Sequence, residues 1–564
     1  MKKIFKYSAV ILALLAAVVL YISYNTSIPV ADLVQNAPDY ISKLETPDIN
    51  AEYIENYSSP AQKVMDILHY EINLDLYPEE KKIAGKTIIN LIAKGINKID
   101  LNFYDNFKIQ SIKVNGNGVK FENEDTRLTL FTSGLLKDTS SIEINYYGKP
   151  KNLGFGSFTF GEKNGKSFIY TMSEPVFAST WFPCNDIPTD KAQFDIKITN
   201  DSSMVSVSNG NLISVKTNGT RRTYHWKTVY PMATYLAAVY SAAYANFNEE
   251  YESAAKIKMP IVYYVTPEKL ESAKRDFSIH KEAIEVFSRL FGEYPFIKEK
   301  YGVAEFLWNK GALENQTITG LGSVFISGLG MQKDILIHEL AHSWWGNSVS
   351  PKEWKDIWLN EGLATYSTAL YYEAVSDIRS LFSTMRQYYG EFPKGTLYNP
   401  EADMFGRLIY DKGAWTFHML RKEIGDSTFF RMLKEYYKNF SYKNASTADL
   451  QAVCESVSKK KLDYFFKQWV YEGIGIIKAD YTYETVKQND NSYNVRIIIK
   501  QVQDGFPVYC FPLDIQVNSG EEKKMLKTVY ITKKESVFEL KTDFLPQNVT
   551  LDPYGWVLAK FNKK

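Results

Sequence analysis

From Leu68 to Leu76 the chain alternates strictly: Leu68, Tyr70, Ile72, Leu74 and Leu76 are separated by His69, Glu71, Asn73 and Asp75. Successive side chains of a strand point to opposite faces, so this pattern predicts a half-buried strand. Similar runs recur at Lys86 to Ile92, Ile142 to Tyr147 and Phe194 to Ile198, punctuated by Gly, Asn and Asp. Together they predict a β-rich domain over residues 61–250. From about Pro267 the period lengthens. Apolar residues fall at helical spacing from Leu270 to Leu290, and Phe296 to Ser327 looks like strands and loops. Helices are predicted over about Lys333 to Gly346, Glu361 to Val375, Asp411 to Ile424 and Thr428 to Tyr437. This helix-dominated unit is assigned to residues 251–476. Alternation returns at Tyr481, with Tyr493, Val495, Ile497 and Ile499 on one face, and predicts a small β-sandwich over 477–564. The fold class is multi-domain α+β.

The N-terminus reads differently. Lys2, Lys3 and Lys6 precede an apolar run from Tyr7 to Tyr24, near the minimum length for a bilayer-spanning helix. No A-x-A-like site follows it, which favours an uncleaved anchor over residues 1–25. The lysines then stay cytoplasmic, so the expectation is a cell-membrane protein held in the lipid bilayer by one pass, with the remainder outside. Residues 26–60 carry Pro29, Pro38, Pro47 and Pro60 among polar residues, as a spacer would. A net charge of +1 gives no reason to expect nucleic acid as a partner. The three cysteines, Cys184, Cys454 and Cys510, are too few for a disulfide framework.

Candidate chemistry concentrates at His338-Glu339-Leu340-Ala341-His342 and at Glu361. Histidines four apart on a helix share a face, so both imidazoles reach one metal ion. A carboxylate from the following helix completes a three-ligand set and leaves a place for water, the pattern of a catalytic zinc site. His338, His342 and Glu361 are therefore candidate ligands to one Zn2+. Glu339 is placed to act as general base on the water. The alternative is a buried helix with two satisfied histidines. It leaves the charge of three polar groups without a partner in an otherwise apolar stretch.

These segments resemble the gluzincin zinc aminopeptidases, the family of aminopeptidase N. Gly311-Ala312-Leu313-Glu314-Asn315 resembles the family's G-x-M-E-N motif, with Leu for Met. Trp358-Leu359-Asn360-Glu361-Gly362, Tyr410-Asp411-Lys412-Gly413-Ala414 and Phe182-Pro183-Cys184-Asn185-Asp186-Ile187-Pro188 match further family segments in the same order. The resemblance implies a thermolysin-like catalytic domain and hydrolysis of the N-terminal bond of peptides with a free α-amine. It implies that Tyr410 hydrogen-bonds the developing oxyanion. Glu314, with Glu174 as the weaker match, would hold the substrate ammonium, while Gly311 and Ala312 let backbone approach the peptide. Many family members carry a large C-terminal helical domain, which this sequence is not expected to contain. Two other readings stay open: an endopeptidase built on the same zinc helix, and a catalytically inactive peptide-binding ectodomain. Oligomeric state and side-chain preference are not legible.

Overall fold

The computed structural model describes residues 54, 57–93, 96–153, 157–400, 404–520 and 523–564. The apolar run near the N-terminus lies outside them. Among the described residues no helix is long and apolar enough to cross a membrane.

Alternation at the start of the described chain does produce strands. β1 (Asp66–Tyr77) buries Ile67, Tyr70, Ile72, Leu74 and Leu76. It pairs antiparallel with β2 (Lys82–Ile92) and parallel with β3 (Gln193–Asp201), in the middle of an eight-stranded sheet. Leu68, counted with the inward residues on period alone, is exposed, because the register shifts between Ile67 and His69.

The next sheet has five strands. β4 (Ala245–Glu252) and β5 (Lys258–Val265) form a hairpin, followed by β6 (Tyr301–Phe306), β7 (Ala312–Leu313) and β8 (Thr319–Gly322). Their spatial order is β4-β5-β6-β8-β7, so β7, which carries the Gly311–Glu314 region, is an edge. The helical stretch predicted from Leu270 is broken into Leu270–Asp276, a tight turn at Phe277–Ile279, and α1 (His280–Phe291). α2 (Lys333–Ala341) is shorter than its apolar run suggests. The chain turns sharply at Gly346, whose φ of +126° an L side chain rarely adopts. α3 (Trp358–Val375), α4 (Ile378–Gln387), α5 (Gly413–Ile424) and α6 (Asp426–Phe440) follow.

One close approach fixes how these helices meet. A Cβ on Gly362 would lie 2.9 Å from Gly413 Cα, and a Cβ on Gly413 would lie 2.8 Å from Gly362 Cα. Two glycines thus let α3 and α5 touch backbone to backbone. That contact carries the turn before α5 towards the first turn of α3. The last residues form a four-stranded and a three-stranded sheet. Val495, Ile497 and Ile499 of one and Leu513, Ile515 and Val517 of the other are buried, and the Tyr481 hydroxyl donates across to the Val549 carbonyl at 3.3 Å. All three cysteines are unpaired.

Candidate active site

His338 projects from α2, His342 follows its last residue, and Glu361 sits in the first turn of α3. The two Nε2 atoms are 2.9 Å apart, and each is 3.3 Å from Glu361 Oε2. Donors bound tetrahedrally to zinc at about 2.0–2.1 Å stand roughly 3.3 Å from one another, so this triangle fits one such ion. The opposite ring nitrogens are held as ligand imidazoles usually are. His342 Nδ1 is 2.9 Å from the Trp345 carbonyl, and His338 Nδ1 is 3.4 Å from Thr365 Oγ1. Burial alone would raise the Glu361 carboxyl, but His342 and His338 beside it hold it down at about 2.

Three more carboxylates crowd the same volume. Glu339, Glu314 and Glu174 are 8%, 6% and 8% exposed. Each has one buried carboxylate oxygen with no hydrogen-bond partner. Ligand atoms of Glu314, Glu339 and His342 lie within 4.8 Å of one another, as do those of Glu174, Glu314 and Glu361. Burial, then mutual repulsion, pushes the Glu339 and Glu174 carboxyls well up. Glu314 is also raised, first by burial. These clustered carboxylates keep unpartnered oxygens, which a divalent ion and a further cation would satisfy.

Tyr410 lies in a wide helical turn, Leu408–Lys412, that leads into α5. Such turns are common at functional sites because they swing one residue out of helical register. Its ring stacks on His338 with centroids 5.7 Å apart. Gly311 and Ala312 line the same cavity, where β7 offers its unpaired edge. All nine residues singled out in the sequence therefore line one cavity of about 610 Å³.

Sequence reasoning missed the supports. Thr365 lies four residues after Glu361 on α3, a spacing that could have revealed it. Asn347, whose side chain donates to the Glu314 carbonyl at 2.7 Å, carries no sequence signal. Nor does the Trp345 carbonyl.

Residues 67–236 match the Peptidase M1 N-terminal domain and residues 275–469 the Peptidase family M1 domain. The chain belongs to peptidase family M1. A probable aminopeptidase of Sulfurisphaera tokodaii is 26% identical over 492 residues, covering 82% of this chain and 60% of that protein. Leucyl aminopeptidase of Saccharolobus solfataricus is 26% identical over 441 residues, covering 73% and 54%. The chain thus spans roughly three fifths of these relatives' length. Among solved structures, aminopeptidase A of Legionella pneumophila superposes with a TM-score of 0.77 at 18% identity, over 92% of this chain and 61% of that one. The M1 zinc metallopeptidase of Deinococcus radiodurans gives 0.63 at 23% identity, over 73% and 95%. These likenesses establish the fold. Family membership implies one zinc ion per chain, and the donor triangle agrees with it.

Proposed function

We propose that this protein is a zinc aminopeptidase that releases residues from the free N-terminus of peptides. The observation that carries the reading is the pair of buried glutamates, Glu174 and Glu314, with unsatisfied oxygens beside the metal-ligand triangle. An internal peptide segment would leave both carboxylates buried without a cation, whereas an α-ammonium pairs with them through charge-assisted hydrogen bonds. His338, His342 and Glu361 would hold the zinc, which when bound would polarise the scissile carbonyl and acidify a water. Glu339 is placed to take a proton from the attacking water and return it to the departing amine. Tyr410 donates its phenolic hydrogen to the oxygen on which charge develops. Gly311 and Ala312 present backbone along the open edge of β7 to the substrate chain. The relatives named as aminopeptidases support the reading.

Within this reading residues 61–250 form the N-terminal domain, 251–476 the peptidase domain and 477–564 a β-sandwich, although the pairing of β4 with β5 favours ending the first unit before Ala245. The two buried faces and the hydrogen bond between the last two sheets support the sandwich. The lysines ahead of the apolar run support an anchor in residues 1–25 with the peptidase outside the cytoplasm. Matched peptides with free and N-acetylated termini, assayed with and without a chelator, test the activity. Cleavage of only the free form, abolished by chelation, is expected. Equal cleavage of both forms would show an endopeptidase, and bound zinc without turnover would show a peptide-binding protein.

A further inference from the structure

The cavity has a second polar end that hydrolysis does not use. Glu174 and Glu314 gather with His342 and Glu361, whereas Asp334, Thr368, Tyr388, Arg407 and Asp411 line the part beyond His338. Asp334 lies on α2 one turn before His338, about 6 Å along the axis and on the same face. Its Oδ1 accepts a hydrogen bond from the Tyr372 hydroxyl of α3 at 2.5 Å. Among the described residues no lysine or arginine pairs with it. Arg407 is already engaged: its Nε lies 2.7 Å from Asp411 Oδ2, and its guanidinium lies over the Phe392 ring. Asp334, Asp411 and Arg407 sum to one negative charge, and the other cation lining the cavity, Lys310, is next in sequence to Gly311 rather than to this cluster. Burial, and then Asp334 and Asp411, push the Tyr388 phenol upward, so that hydroxyl feels both acids. Ile335 and Phe405 give the same stretch of cavity an apolar wall.

We propose that this end holds the side chain of the substrate's second residue, and that Asp334 selects lysine or arginine there. The inference rests on the aminopeptidase reading, which places the first residue against Glu174 and Glu314 and the scissile carbonyl at the ligand triangle. The second residue then falls on the His338 side. A lysine or arginine stem packs along Ile335 and Phe405, and its head reaches the Asp334 carboxylate. A glutamate in the same place would meet an unneutralised acid.

Equilibrium binding tests this without turnover. The zinc-loaded full chain carrying Glu339→Gln is titrated calorimetrically with Ala-Arg-Ala and with Ala-Glu-Ala. The arginine peptide is expected to bind on the order of tenfold more tightly, with the gap narrowing as salt is added. Asp334→Asn in that background should close the gap, and Asp334→Glu should restore much of it. Equal binding of the two peptides, or a gap that survives Asp334→Asn, would overturn the proposal. N-acetylation separates it from the parent reading. If the acetylated arginine peptide binds as well as the free one and the gap persists, the amine pocket is wrong while the role of Asp334 stands.

Discussion

Glu305, on β6, and Glu314, which directly follows the edge strand β7, are both buried glutamates, yet they are opposites. Glu305, 0% exposed, is fully satisfied. Its Oε1 accepts from Lys163 Nζ and Ser323 Oγ, both at 2.6 Å, and its Oε2 from the Thr266 backbone N–H at 2.7 Å and hydroxyl at 2.8 Å. Glu314 has a buried oxygen with no donor at all. Lys163 lies in the stretch that matches the M1 N-terminal domain and Glu305 in the one that matches the M1 domain, so this ion pair links the two matched stretches. A satisfied buried acid stabilises a fold. An unsatisfied one costs stability and persists where a ligand completes it.

That contrast can be broken at several points. The largest effect is expected at Glu339, another unsatisfied acid: Glu339→Gln should lower kcat by about a thousandfold, the scale of losing a positioned proton acceptor. Zinc content measured on the same protein should stay at one ion per chain, and a loss of metal would assign Glu339 a different job. Glu305→Ala should instead cost stability, about 3 kcal/mol, because Lys163 and the Thr266 N–H lose a shared acceptor. A falling thermal midpoint reads this directly, and an unchanged midpoint would erase the distinction between the two glutamates. Glu314→Gln should do the reverse, with kcat/KM for free-amine peptides falling ten- to a hundredfold, mainly through KM. Its thermal midpoint should hold or rise, since an uncompensated buried carboxylate has been removed.

The smallest effect concerns Asp190, which burial pushes up to about 7 although it accepts from the Ile67 N–H at 3.0 Å and Asn185 Nδ2 at 2.6 Å. Its pKa is higher folded than unfolded, so its protonation stabilises the folded state fully at acid pH. That contribution is lost as pH rises through about 7. Wild type should therefore lose about 1 kcal/mol relative to Asp190→Asn between roughly pH 6 and 8. Parallel pH profiles for the two proteins would show that Asp190 keeps an ordinary carboxyl.

Much of the strand pattern was readable in advance because alternation is local. β1, β2 and β3 and the buried face of Tyr493–Gln501 follow directly from it. The helices were readable in kind but less in extent. An apolar run cannot show that Gly346 turns the chain after α2, or that Phe277–Ile279 interrupts the helix before α1. The candidate metal ligands were legible because one helix turn already brings two imidazoles together.

The sequence by itself determined the family and singled out the candidate donor set and candidate proton acceptor, since each is encoded in a few adjacent residues of fixed spacing. Only the tertiary structure decided which acids are satisfied. The partners of Glu305 come from three distant segments, Lys163, Thr266 and Ser323, while the approach of Gly362 to Gly413 joins two motifs that are far apart along the chain. Whether a buried charge finds a donor depends on which surfaces pack together, and no local pattern carries that information.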